Sequence, residues 1–131
     1  MGRYLLDTHV VLWWAEGDAK LSPKHIELLR DETNEIYLSV VSAWEVSIKA
    51  SQGKLHISQE PLPYFQQIAN RCQFTVLPVQ LSHAAGVYRL PKVHNDPFDR
   101  LLISQARSEN LTVLSDDALF TKYDLPGLIS G

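Results

Sequence analysis

The chain has a single cysteine, Cys72, among 131 residues, so no disulfide can form within it. That excludes a small disulfide-stapled scaffold and fits a reducing compartment. Cys72 reads as a small buried hydrophobe. A surplus of positive charge is also lacking: 12 Lys and Arg face 15 Asp and Glu, a net charge of −3. Proteins that grip nucleic acid by charge alone carry a basic face. Either nucleic acid is not the ligand here, or bound metal neutralises part of the acidic charge. No apolar stretch approaches the roughly 18–20 residues of a membrane span. The early run from Val10 to Ala15 follows Asp7 and His9 and has no basic residues leading into it, so it does not read as a signal peptide. A cytoplasmic protein is expected. Repeats, low-complexity tracts and Gly/Ser/Pro linkers are absent as well.

What is present is a core-forming composition, 45% hydrophobic with three Trp, five Tyr and four Phe. Residues 1–131 are read as one domain. Apolar runs of strand length alternate with segments of helical period, the pattern of an α/β domain with a mostly parallel sheet. Strands are expected at Arg3–Leu6, Glu35–Ser39, Phe74–Leu77 and Leu111–Leu114, with an edge strand at Leu128–Ser130. Helices are expected at 10–16 (ending on Gly17), 24–30 (behind Ser22-Pro23), 41–51, 61–72, 82–90 and 97–109, with a short one over 117–123. This order supports a doubly wound sheet with right-handed crossovers.

Four carboxylates fall where such a sheet binds its ligands, outside the carboxyl ends of the strands. Asp7 follows the first strand directly, and Asp117 lies three residues past the fourth. Glu45 sits about one turn into the helix after the second strand, and Asp99 in the first turn of the helix that begins at Pro97. A convergent set of carboxylates suits a hard divalent cation, which takes oxygen ligands. Bound metal can activate a water and offset charge on a phosphate under attack.

Each acid also has a plainer explanation. Asp96 before Pro97 is an N-cap, and Asp99 in the first turn favours the helix dipole. Asp116 or Ser115 can cap the last short helix, with Asp116 preferred. Glu45 stands four residues before Lys49, the spacing of a weak surface ion pair. Asp7 has the least convincing alternative, because a carboxylate set between apolar segments is costly unless something satisfies it. The five histidines show no zinc spacing, and His9 and His94 read as structural or surface residues. Trp13 and Trp14, adjacent on a helix, are expected to divide between core and interface. Trp44 is expected in packing ahead of base stacking.

Four blocks together, LLDTHVVLWW (5–14), LSVVSAWEVSIK (38–49), HNDPFDRLLISQA (94–106) and LTVLSDDALFTKY (111–123), carry a resemblance over nearly the whole chain. The sequence resembles the PIN-domain ribonucleases, specifically the toxin subunits of VapBC-type bacterial toxin–antitoxin pairs. The resemblance implies an α/β/α sandwich with a central, mostly parallel sheet of about five strands. It also implies endoribonuclease activity dependent on Mg²⁺ or Mn²⁺. The acids it singles out are Asp7, Glu45, Asp99 and Asp117, with Asp7, Asp99 and Asp117 as metal ligands. Thr8, Asp96, Ser115 and Asp116 are implied as auxiliary residues, and the motif's spacing selects Asp117 over Asp116. Lys49 and Arg100 are expected to contact phosphate, along with Lys54 and Lys92. The partners implied are the RNA substrate, a cognate antitoxin and a second copy of the chain, with DNA reached only through the antitoxin.

Two rival readings stand beside this one. A Mg²⁺-dependent phosphohydrolase of a small phosphate ester usually needs a second acid two residues after its nucleophilic Asp, and here that position is His9. A non-catalytic PIN-like RNA-binding module predicts that substituting the acids leaves RNA intact.

Overall fold

Leu5 and Leu6 alternate across a strand and are both buried, which places the first strand inside a sheet covered on both faces. The computed structural model describes residues 1–123, 125 and 127–131. Its strands are β1 (Arg3–Leu6), β2 (Glu35–Ser39), β3 (Thr75–Leu77), β4 (Thr112–Ser115) and β5 (Leu128–Ser130). The helices are α1 (Thr8–Glu16), α2 (Pro23–Arg30), α3 (Val40–Ser51), α4 (Pro61–Cys72), α5 (Leu81–Gly86) and α6 (Pro97–Glu109). Single turns of 3₁₀ helix cover Val87–Arg89 and Ala118–Lys122.

All five strands are parallel, in the order β3-β2-β1-β4-β5. Strand alternation sorts the core into two halves. Leu6, Ile36, Leu38 and Leu114 join Val10, Val46, Phe65 and Ile68 on one side. Leu5, Leu77 and Val113 join Leu102, Ile103, Ala106 and Phe120 on the other. Helices α1 to α4 cover the first face, and α6 with its neighbours covers the second. This is the three-layer α/β/α sandwich expected. The chain winds outward in both directions from the β1/β4 pair, so the strand order reverses there. A doubly wound sheet opens its ligand crevice at that point.

Local chemistry explains most boundaries. Ser22 accepts the His25 N–H at the start of α2, with Pro23 in the first turn. Gly17 closes α1 at φ 63°, a left-handed conformation that glycine adopts without steric cost. Bounds move by one or two residues at α1, α2, α3 and β4, and three further segments differ too. The third strand starts at Thr75, because the Phe74 N–H is taken by Ala69 O in the turn that ends α4. The helix expected to run to Leu90 stops at Gly86 and tightens into 3₁₀, with Leu90 N–H bonded to Val87 O. The final helix is a 3₁₀ segment, and Asp117 is its cap, accepting Leu119 N–H, where Asp116 was expected to cap. Asp117 is the residue immediately before the first turn, and Asp116 is exposed.

Neither Trp13 nor Trp14 is fully buried in the core. Both pack half-buried against the first core cluster, and Trp14 Nε1–H donates to Sγ of the half-buried Cys72 at 3.3 Å. Trp44 is exposed and meets the Phe98 ring edge-on, centroids 4.8 Å apart. Among the described residues, no helix is long and apolar enough to cross a membrane.

Candidate active site

Asp7 leaves the end of β1 and caps α1. One carboxylate oxygen accepts the Thr8 N–H at 2.8 Å, and the other accepts the Ser115 hydroxyl at 2.8 Å. Ser115 ends β4, the neighbour of β1. Its Oγ also accepts the Asp117 N–H at 3.0 Å, so one hydroxyl spans the crevice and holds the turn that presents Asp117. Thr8 Oγ1 and Ser42 Oγ, 2.9 Å apart, fix α1 against α3.

Helix α3 starts directly after β2, capped by Ser39, whose Oγ accepts the Val41 N–H. Glu45 therefore lies one turn inside, on the buried side of the helix. Its carboxylate is not the surface group that the spacing to Lys49 suggested: the side chain is 5% exposed, against 38% for Lys49. Lys49 Nζ stands 2.5 Å from Glu45 Oε2, and that contact is the main cause holding the lysine above its ordinary pKa. Glu45 Oε1 is buried with no hydrogen-bond partner.

Asp96 caps α6 as expected, accepting the N–H groups of Phe98 and Asp99. That leaves Asp99 free to point away from its own helix end. Its pKa is pushed up to about 8, first by burial and then by the charges of Asp7, Asp96, Glu45 and Asp117. A group repelled by these four acids sits in their common field. Asp117 contributes to that field, and Asp116 is not among the causes. Asp7 is also raised, chiefly by burial, with the Ser115 and Thr8 hydrogen bonds acting against it.

The four principal acids thus face one crevice at the β1/β4 switch point, but they do not close around one point. Among the described residues, no three His, Cys, Asp or Glu side chains are arranged to hold a single ion. Asp7 is turned to Ser115, Glu45 to Lys49, and Asp99 to His94, whose Nε2 lies 3.3 Å from Oδ2. The donor set still suits a hard divalent cation. It is all carboxylate, it includes the orphaned buried oxygen of Glu45, and its mutual repulsion is the charge a cation would relieve.

Of the expected phosphate contacts, Lys49 is inside this field, feeling Asp96 and Asp99 as well as Glu45. Lys49 and Lys54 also line a cleft of about 270 Å³ beside Thr8, His9 and Glu45. Lys92 is exposed. Arg100 turns inward: its guanidinium donates to the carbonyls of Pro91, His94 and Val87 and to the Tyr123 hydroxyl. Two site neighbours gave no sequence signal of their own. Tyr123 reaches His94 from 29 positions away, and Ser42 reaches Thr8 from 34. Only the fold brings them together.

The chain is 26% identical over 127 residues to Ribonuclease VapC22 of Mycobacterium tuberculosis, covering 96% of this chain and 95% of that protein. Its fold is similar to that of VapBC2 from Rickettsia felis bound to a DNA fragment from their promoter. There the TM-score is 0.74 at 16% identity, covering 98% of each chain. VapBC-5 from M. tuberculosis, a member of the VapBC family of toxin–antitoxin systems, matches with a TM-score of 0.64 at 18% identity over the full length of both chains. Residues 4–125 match the PIN domain family, and the chain belongs to it.

Proposed function

We propose that this protein is an endoribonuclease dependent on Mg²⁺ or Mn²⁺ and the toxin component of a toxin–antitoxin pair. The observation that carries this reading is the convergence of Asp7, Glu45, Asp99 and Asp117 on one crevice with a buried Glu45 oxygen left unpaired. The similarity to a named ribonuclease over 96% of the chain supports RNA as substrate. Asp7, Asp99 and Asp117 would hold the metal, with Glu45 completing the set. When bound, a divalent ion supplies positive charge that favours deprotonation of an attacking water and offsets charge building on the scissile phosphate.

The chain's own groups perform the rest. Ser115 and the Thr8 N–H hold the Asp7 carboxylate in one orientation. Glu45, anchored through one oxygen to Lys49, keeps the other available to accept a proton or orient water. Lys49 and Lys54, along their shared cleft, supply cationic contacts for phosphates flanking the cut. Attack in line with the leaving oxygen needs no covalent enzyme intermediate. A homodimer, a cognate antitoxin through which DNA is contacted, and a cytoplasmic location complete the proposal. The VapBC complexes among its structural relatives support the antitoxin.

The test is cleavage of a mixed RNA pool by the purified chain in Mg²⁺ or Mn²⁺, alongside Asp7→Asn and Asp99→Asn. Wild type is expected to cut, and both variants to lose activity by two or more orders of magnitude. Full cleavage by either variant overturns the reading. RNA left intact by wild type, with slow growth absent on induction in a bacterial host, favours the non-catalytic alternative.

A further inference from the structure

We propose that Arg100, Tyr123 and His94 form a one-way hydrogen-bond chain that fixes the His94 tautomer and aims Asp99 into the acidic crevice. His94 is then a positioning residue for the site, and Arg100 is the anchor of that chain, with no part in gripping phosphate. The inference rests on the reading of Asp99 as a metal-binding acid.

The direction of the chain follows from the donor inventory. A guanidinium has only donors and keeps its charge. Arg100 Nη1 lies 3.2 Å from the Tyr123 hydroxyl, so the tyrosine oxygen accepts there. The same hydroxyl lies 2.6 Å from His94 Nδ1. Tyr123 is buried, and among the described residues its hydroxyl proton meets no other acceptor. The proposed chain sends that proton to Nδ1, which is then the unprotonated ring nitrogen. That leaves the proton on Nε2, 3.3 Å from Asp99 Oδ2, which accepts it.

Geometry holds each member in place. Arg100 is gripped by the carbonyls of Pro91 and His94 at 2.8 and 3.4 Å, which also pins the loop that carries His94. The His94 and Tyr123 rings pack edge to face with centroids 5.5 Å apart. His94 and Asp99 side chains are only 13% and 15% exposed, so water competes weakly for the final bond. An imidazole that donates to a carboxylate while its second nitrogen is fixed by a neighbour sets that carboxylate's orientation, much as outer-shell partners orient metal ligands. Asp99 has no other hydrogen-bond donor to its side chain among the described residues.

The experiment has two readouts on the full chain. Long-range ¹⁵N–¹H correlation in Mg²⁺, with His94 assigned by its loss in His94→Gln, is expected to show the Nε2–H tautomer. Tyr123→Phe is expected to release it into a mixture. Mn²⁺ binding, followed by the free-ion electron paramagnetic resonance signal, is expected to weaken about tenfold in His94→Leu but only about threefold or less in His94→Gln, whose amide keeps a donor near the Nε2 position. An Nδ1–H tautomer in the unsubstituted protein overturns the proposal, and so does equal Mn²⁺ affinity in His94→Leu and wild type. Asp99→Asn separates the two readings. If it leaves Mn²⁺ affinity unchanged, the metal site itself is misplaced; if it weakens binding while His94→Leu does not, only the positioning chain fails. Should His94→Leu not fold, the tautomer of the unsubstituted protein decides.

Discussion

Ser115 Oγ donates to Asp7 Oδ2 at 2.8 Å across 108 positions of sequence, while accepting the N–H of Asp117 at 3.0 Å. Two acids from opposite ends of the chain share one hydroxyl, which is 1% exposed as a residue. Ser115→Ala removes the donor that holds the Asp7 carboxylate below the pKa its burial would impose. It also strands the Asp117 N–H. The expected result is a loss of about 1–2 kcal/mol in urea unfolding at neutral pH, with weaker Mn²⁺ binding. A loss below about 0.5 kcal/mol, typical of a neutral surface change, contradicts this account.

Lys49 and Glu45 form a pair of unequal exposure, 38% and 5%. Removing the lysine leaves a buried carboxylate with neither oxygen paired. Lys49→Met is expected to cost about 1–3 kcal/mol, less than a fully buried pair because water screens the ammonium. Glu45→Gln in the same background should recover part of that loss. A double-mutant cycle on unfolding free energies measures the coupling, and strict additivity would sink the prediction.

How far this site was legible beforehand depends on the length scale of the signal. Asp7 directly after an apolar strand and Asp117 just past another are local patterns, and the doubly wound order follows from alternating periods, so the crevice was readable. Asp96 as a cap was readable for the same reason, since Asp-Pro at a helix start is a short-range pattern. The burial of Glu45 was not, because its spacing to Lys49 looks identical on a solvated helix. The inward turn of Arg100 was equally hidden. Its partners are Val87, Pro91 and His94 carbonyls in a loop and a hydroxyl 23 positions away, none of which leaves a periodic trace. Asp117 displaced Asp116 as the cap because the fold places it immediately before the 3₁₀ turn, and both were equally suited by residue type.

Gln105 lies on the inner side of α6, where the helical period puts it, and is a wholly buried polar group. Its Oε1 accepts the Ser39 hydroxyl at 2.5 Å and its Nε2 donates to Pro78 O at 3.2 Å. Because Ser39 caps α3 and Gln105 lies on α6, this side chain joins the helices that carry Glu45 and Asp99. Gln105→Leu, similar in size, is expected to cost about 2–4 kcal/mol by leaving both partners unsatisfied. The exposed Gln59, whose side chain bonds that of Gln67, should tolerate the same change within about 0.5 kcal/mol. Chemical denaturation of the two variants side by side checks the contrast; equal losses would show that burial of the amide is not what matters.

Asp99 and Asp7 set how metal-free protein responds to pH. Both carboxyls hold their protons more tightly in the folded chain than in the unfolded one, Asp99 up to about 8. Between the ordinary carboxylate range and that value the folded state binds more protons, so its stability falls as pH rises. With metal chelated, Tm is expected to drop from about pH 5 to about pH 8, and Asp99→Asn to flatten that slope. Mg²⁺ competes with protons for the same oxygens, so the stabilisation it confers should grow over the same interval. Scanning unfolding temperature across this interval, with chelator and with Mg²⁺, checks both slopes. A Tm that climbs steadily with pH in chelator, or an Asp99→Asn profile parallel to wild type, would show that the acids do not share the field that places a cation among them.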